Sequence, residues 1–362
     1  MSQNQTQSNT NISHHHNRNV GNNHINQVQQ NVEITQKLIS SMKCLLQILI
    51  RLEKINSFKY QFSDLISRAQ INKDITFINS FYEIFNILNR FESNTISKEI
   101  YNQKINNFIR KVFLDNESGV NGSRPILLYY MISTIIINDF SRYFNNNYNN
   151  SIFDDLIQNN YSPLNTIIPV NNQTIYNSLN KTIMEFKNNY KGPFVDNFYF
   201  LSMSLSRCPQ CNSLFGVRFQ VNSFLPLILP NQQNNITQLI NNYFSSYFGT
   251  GDRYNCVCGS KGVNKKKRFC LNLPNYLTLE LEDKNSIIFE DKISVPLYNG
   301  KLYSYQYFAG IYKYINNNVS NFVAVIKNGN NYYFYHDEIE PCPENYRNLE
   351  KPSMVIYKKI SQ

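Results

Sequence analysis

Four cysteines fall in two short pairs, Cys208-Pro-Gln-Cys211 and Cys256-Val-Cys258, with 44 residues between Cys211 and Cys256. A zinc ion takes four soft ligands at tetrahedral corners, and two thiol pairs placed on hairpin turns supply them. A single residue between Cys256 and Cys258 tightens the second turn without forbidding chelation. Such a site is closed: it holds loops together and does no chemistry. The other reading is two separate thiol pairs, one of them redox-active. Cys270 and Cys342 read as ordinary half-buried residues.

One histidine, His336, lies beyond the first two dozen residues. An imidazole is the usual base that activates a thiol or hydroxyl nucleophile, so its place matters. It sits in "SNFVAVIKNGNNYYFYHDEIE" (320–340), which reads as two short strands joined by a tight Asn-Gly turn. Cys44 falls in an apolar helical pattern, where a cysteine packs like a small hydrophobe. The densest basic run is Lys265-Lys266-Lys267-Arg268, in a chain of net charge +10. The other cations are scattered, so the run reads as a solvated loop ahead of a nucleic-acid patch.

The elements that must position these residues follow from periodicity. Residues 1–33 form an Asn/Gln-rich tail with His14, His15 and His16, too polar to order and without the apolar core of a secretory signal. From 34 to 194 the pattern is helical. Leu38, Met42, Leu45, Leu49 and Leu52 mark one helix, and Phe81, Ile84, Phe85, Leu88 and Phe91 a second. Ile105, Phe108, Ile109, Val112 and Phe113 mark a third. Pro125 suits the first turn of an apolar helix over 126–137, which is too short to span a bilayer. Another helix is expected near 174–188. From 195 to 362 the period becomes two, with strands at 199–205, 215–221, 276–282, 303–314, 322–327, 332–336 and 353–359. One helix interrupts at 236–247, with Gly249 as its stop. The chain is α+β, a helical half followed by an antiparallel half. With no signal and paired cysteines, a cytoplasmic or nuclear location with reduced thiols is expected.

The second half resembles the ubiquitin-specific protease family of deubiquitinases. A strand leads into Cys208-Pro-Gln-Cys211, followed by "FLPLILP" (224–230) and a helix. Then come Tyr254 with Cys256 and Cys258, a basic stretch, Leu273-Pro274 and "YLTLELE". The family continues that strand into Lys-Arg-Phe; here Glu282-Asp283 follows. "ISVPL" (293–297) is similar to the family's Val-x-Phe-Pro-x-x-Leu. "FVAVIK" matches the strand after its Gly-His-Tyr, "YYFYHDEI" its Trp-Tyr-x-Phe-Asp-Asp, and "SMVIYKK" its closing strand. The resemblance implies a papain-like fold with a helical thumb, an antiparallel β palm and zinc-bearing β fingers held by Cys208, Cys211, Cys256 and Cys258.

It also implies a Cys–His–Asp/Asn triad, and each position can be checked. The family's Gly-His-Tyr is here Ser320-Asn321-Phe322, and Asn321 has no titratable nitrogen. The orienting acid's place holds His336, beside Asp337. The family's nucleophile segment is matched by "LISSMKCLLQ" (38–47) through Met42, Leu46 and Gln47, which puts Ser40 at the nucleophile's place. The Gln-Gln-Asp-Ala segment expected near 123–131 is missing. A serine without an adjacent imidazole stays protonated and inert. The leading expectation is therefore a pseudo-deubiquitinase that binds ubiquitin or a ubiquitinated protein, or serves as a scaffold, with no catalytic residue. A second reading is an active deubiquitinase with a displaced triad of Cys44 and His336. A third is a zinc-ribbon nucleic-acid binder using Lys265 to Arg268.

Overall fold

The computed structural model describes residues 37–52, 93–109, 124–143, 173–227, 234–245, 248–281, 290–316, 319–335, 339–341 and 352–360. It adds scattered positions between 80 and 91, at 151–156 and at 287–288. The 1–33 tail, His336 and Cys342 lie outside the described residues.

Helix α1 (37–52) carries the heptad-like set read from the sequence, but Cys44, Leu46, Ile48 and Ile50 are buried as well. A helix that is apolar on nearly every side belongs inside the molecule, not on its surface. Helix α2 (Lys98–Ile109) buries Tyr101, Ile105, Phe108 and Ile109 beside it. Buried Gln47 of α1 donates to the Tyr101 hydroxyl at 2.9 Å. Helix α3 (Pro125–Tyr143) starts on the proline and is longer than its apolar run. The side chain of Arg124, one residue before it, pairs with Glu280. Helix α4 (Gln173–Asn189) buries Ile175, Leu179, Ile183 and Phe186 at helical spacing. A one-turn helix, α5 (Pro193–Phe198), follows Gly192, whose φ of 118° favours glycine. Periodicity cannot reveal a helix of six residues.

The strands follow in order: β1 (Phe200–Arg207), β2 (Leu214–Asn222), β3 (Leu225–Leu227), β4 (Asn234–Asn235), then helix α6 (Ile236–Ser245). Next come β5 (Phe248–Asn255), β6 (Lys261–Cys270), β7 (Tyr276–Leu281), β8 (Ile287–Ile288) and β9 (Lys292–Pro296). Last are β10 (Leu302–Asn316), β11 (Val319–Asn328), β12 (Asn331–Tyr335), β13 (Ile339–Pro341) and β14 (Pro352–Lys359). The α6 helix ends at Ser245, and Gly249 belongs to β5 rather than to a helix stop. The Lys265–Arg268 run lies in β6, not in a solvated loop.

Two sheets dominate. One is four-stranded in the order β2-β1-β6-β5; the other runs β13-β12-β11-β10-β14-β7-β3, with β9 also paired to β10. The β11–β12 hairpin closes from Asn328 to Asn331 around Gly329, whose φ is +63°. One face of the larger sheet, through Ala309, Ile311, Ala324, Ile326, Met354 and Ile356, shares a core with α1. Its other face packs Tyr307, Val355 and Tyr357 with α6 residues Ile236, Leu239 and Ile240. Gly310 sits where a Cβ would meet Tyr312 Cε2 at 2.9 Å and the Tyr307 hydroxyl at 3.0 Å. The tyrosine-rich packing of β10 needs a glycine there.

Candidate metal centre and the α1–β11 junction

The four paired cysteines meet at one end of the four-stranded sheet. Cys208 follows β1 and Cys256 follows β5, so each pair occupies the turn of a hairpin, as expected from the sequence. In the first turn the Cys208 amide donates to Ser213 O at 2.9 Å and the Asn212 amide to Cys208 O at 3.0 Å. Asn212 takes φ 58° to allow the reversal. In the second, the Cys256 amide donates to Ser260 O and the Gly259 amide to Cys256 O, both at 2.9 Å, with Gly259 at φ +82°. The two turns are built alike despite the different Cys spacing.

All four sulfurs lie within 4.8 Å of one another. Cys208 Sγ is 3.8 Å from Cys258 Sγ, and Cys211 Sγ is 3.4 Å from Cys256 Sγ. A tetrahedral zinc–thiolate site, with Zn–S near 2.3 Å, has sulfur–sulfur edges of about 3.8 Å. The donor set and its size fit that ion, and the four residues can hold a metal. The Ser213 hydroxyl, 3.0 Å from Cys211 Sγ, leads the contacts that hold the Cys211 thiol below its usual value. The Cys258 amide pulls Cys256 down, but burial and the neighbouring thiols outweigh it and raise that thiol to about 12. A divalent metal displaces thiol protons when it binds, because the thiolate is the ligand. Cys270 stands apart: it is buried, its thiol reaches Asn272 O at 2.9 Å, and burial pushes its pKa far up.

The second constellation lies where α1 meets β11. Ser40 Oγ accepts from the Phe322 amide at 2.7 Å and donates to Phe322 O at 2.9 Å. One hydroxyl therefore satisfies both backbone groups of a residue 282 positions away. Asn321, half-buried, is the next residue along that strand and pairs with Tyr314. The fold brings Ser40 against the 321–322 segment. Cys44, one turn further along α1, is 1% exposed. The guanidinium of Arg51, at the end of α1, lies 4.9 Å from the centre of the Tyr335 ring. No feature of the sequence singled out Arg51, nor the contact of Ser40 with Phe322; both depend on placement that only the tertiary fold supplies. Removing the Ser40 hydroxyl strands a backbone donor and acceptor, at a cost of about 1–3 kcal/mol. Ser40→Ala is expected to lower the melting temperature in a calorimetric scan, with Ser41→Ala as comparison.

No family model matches the chain, and no curated protein matches it. Solved structures do. The chain superimposes on a SAGA DUB module of Ubp8, Sgf11, Sus1 and Sgf73 with a TM-score of 0.60 and 14% identity, covering 88% of this chain and 67% of the other. The fold is that of the ubiquitin-specific proteases. The module bound to ubiquitin aldehyde gives a TM-score of 0.58 at 14% identity, with 89% and 68% covered. A yeast SAGA DUB module gives 0.56 at 14% identity, with 90% and 67% covered. In this ubiquitin-specific-protease-like fold the helices of the first half form the thumb. The larger sheet forms the palm, and the four-stranded sheet with its cysteine tip forms the fingers. No described helix is long and apolar enough to cross a membrane.

Proposed function

We propose that this chain is a catalytically inactive ubiquitin-specific-protease-like domain of the ubiquitin system. In this reading it binds ubiquitin or a ubiquitinated protein, and serves as a scaffold within a larger complex. The observation that carries the reading is the Ser40–Phe322 clamp. The hydroxyl at the nucleophile's place is engaged as donor and as acceptor by backbone. The adjacent base position is Asn321, which cannot take a proton from it. Peptide cleavage needs a nucleophile, a base to activate it and an acid for the leaving amine, so two of the three roles are unfilled. Cys208, Cys211, Cys256 and Cys258 would hold zinc and tie the two finger hairpins together. The ion supplies cross-linking there and no Lewis-acid step, because all four positions are protein thiols. Six cysteines held as thiols among the described residues suit a reducing cytoplasmic or nuclear compartment.

The relatives in fold include a module bound to ubiquitin aldehyde and one bound to monoubiquitin, each with partner subunits. Those features support ubiquitin binding and complex membership as the reading for this chain. An active enzyme built on Cys44 is disfavoured by the burial of that thiol inside α1. A nucleic-acid ribbon is disfavoured by Lys265–Arg268 forming part of a paired central strand of the fingers. Isothermal calorimetry of the chain with monoubiquitin tests the reading. Saturable one-to-one heat is expected. No heat at the highest attainable ubiquitin concentration would leave the fold without this function.

A further inference from the structure

The two finger turns divide their thiols in the same way. In each, the first cysteine is buried and the second exposed: Cys208 and Cys256 lie inside, Cys211 and Cys258 outside. The close sulfur contacts then cross between the hairpins. Exposed Cys211 meets buried Cys256 at 3.4 Å, and exposed Cys258 meets buried Cys208 at 3.8 Å. The hydrogen bonds that close each turn, Asn212 to Cys208 and Gly259 to Cys256, hold the backbone under these thiols. Pairing within the turns is the alternative. A Cys256–Cys258 bond would close a ring around one residue, Val257, leaving little room for the dihedral angle of about 90° that a disulfide prefers. A Cys208–Cys211 bond alone would then leave two thiols over. Only pairs that cross between the hairpins use all four without that small ring.

We propose that the finger tip is a redox-sensitive site, at which a hydroperoxide converts the metal-free thiols into the disulfides Cys211–Cys256 and Cys208–Cys258. The exposed Cys211 sulfur attacks the peroxide O–O bond. It takes one oxygen to become a sulfenic acid, and the other oxygen leaves as water. The Cys256 sulfur then attacks the sulfenic sulfur and forms the S–S bond. The displaced hydroxyl leaves with the Cys256 thiol proton as a second water. Two thiols are thus oxidised and one peroxide is reduced. Cys258 and Cys208 repeat the sequence with a second peroxide. Each buried thiol is shielded from the oxidant yet touches the sulfur that reacts, which suits a resolving group. Cys44 and Cys270, each 1% exposed, stay thiols under the same treatment. Either new bond ties the β1–β2 hairpin to the β5–β6 hairpin covalently, across the 44 residues between Cys211 and Cys256. Zinc and peroxide therefore compete for one set of thiols, and the tip stays closed under either. The inference uses the same four thiols as the zinc reading and owes nothing to ubiquitin binding.

The test is non-reduced peptide mapping of the full chain, stripped with a chelator, reduced, and then treated with hydrogen peroxide. Trypsin places the first cysteine pair in residues 208–218 and the second in residues 254–261. The expected product is these two peptides joined, four hydrogens lighter than their sum. Two separate peptides, looped or carrying only sulfur oxides, would overturn the inference. Two double variants fix the partners. Cys208→Ser with Cys258→Ser keeps Cys211 and Cys256 and should cross-link. Cys208→Ser with Cys256→Ser keeps the two exposed thiols and should cross-link at least about tenfold more slowly. Equal rates overturn the pairing. Melting curves check that the variants fold, and the wild-type map decides alone if they do not. The oxidised chain should take up no zinc until a thiol reductant is added, and zinc uptake by the joined product overturns the inference. A reduced chain that binds no zinc, yet joins its peptides under peroxide, removes the zinc reading alone.

Discussion

Cys208→Ala and Cys256→Ala are each expected to release bound zinc and to unravel the finger tip. Purified wild-type chain should carry one zinc per molecule by elemental analysis, and each variant close to none. Structural zinc in small thiolate sites contributes roughly 10–16 kcal/mol of apparent binding free energy at neutral pH, most of which is folding free energy. Here that energy acts locally. The metal-binding turns join β1 to β2 and β5 to β6, while β1 and β6 stay paired from Ser202–Cys270 to Arg207–Lys265. Metal loss should therefore raise amide exchange in the two turns and in β5 first, and lower the melting temperature. The palm, through Tyr307, Val355 and Tyr357, should keep its protection. A metal-free wild type, or zinc retained by both variants, would refute the site.

Repairing two positions should create what the chain lacks. Ser40→Cys combined with Asn321→His is expected to react covalently with ubiquitin carrying a C-terminal electrophile, while neither single variant does so at a comparable rate. The reason is local. The Ser40 hydroxyl already touches the Phe322 amide and carbonyl, so a group on residue 321 lies one strand position from residue 40. A thiol alone is mostly protonated at neutral pH, and an adjacent imidazole supplies the missing base. General base assistance contributes about 100- to 10,000-fold, so the double variant should label at least about 100-fold faster than Ser40→Cys. Equal rates for the two would mean that residue 321 does not occupy the base's place.

The sequence was most readable where a period repeated or a turn demanded special residues. The alternation in β1, β10, β11 and β14, the apolar spacing of α1 and α4, and the paired cysteines each announced their structure. Elements governed by tertiary contacts were hidden. Lys265–Arg268 looked like solvent-facing loop because four cations in a row have no alternation, yet β1 and β5 pair on either side of them. Helix α1 read as one-sided, because a periodicity test rewards Leu38, Met42 and Leu45 and does not register that Leu46, Ile48 and Ile50 also find partners. The Ser40–Phe322 clamp spans nearly the whole chain, and no local pattern encodes it.

The central claim is that this ubiquitin-specific-protease-like fold lacks a working nucleophile. The direct test is intact-mass spectrometry of the wild-type chain after incubation with ubiquitin bearing a C-terminal electrophile. The account predicts an unchanged mass. A mass increased by one ubiquitin, and lost in Cys44→Ala, would contradict it.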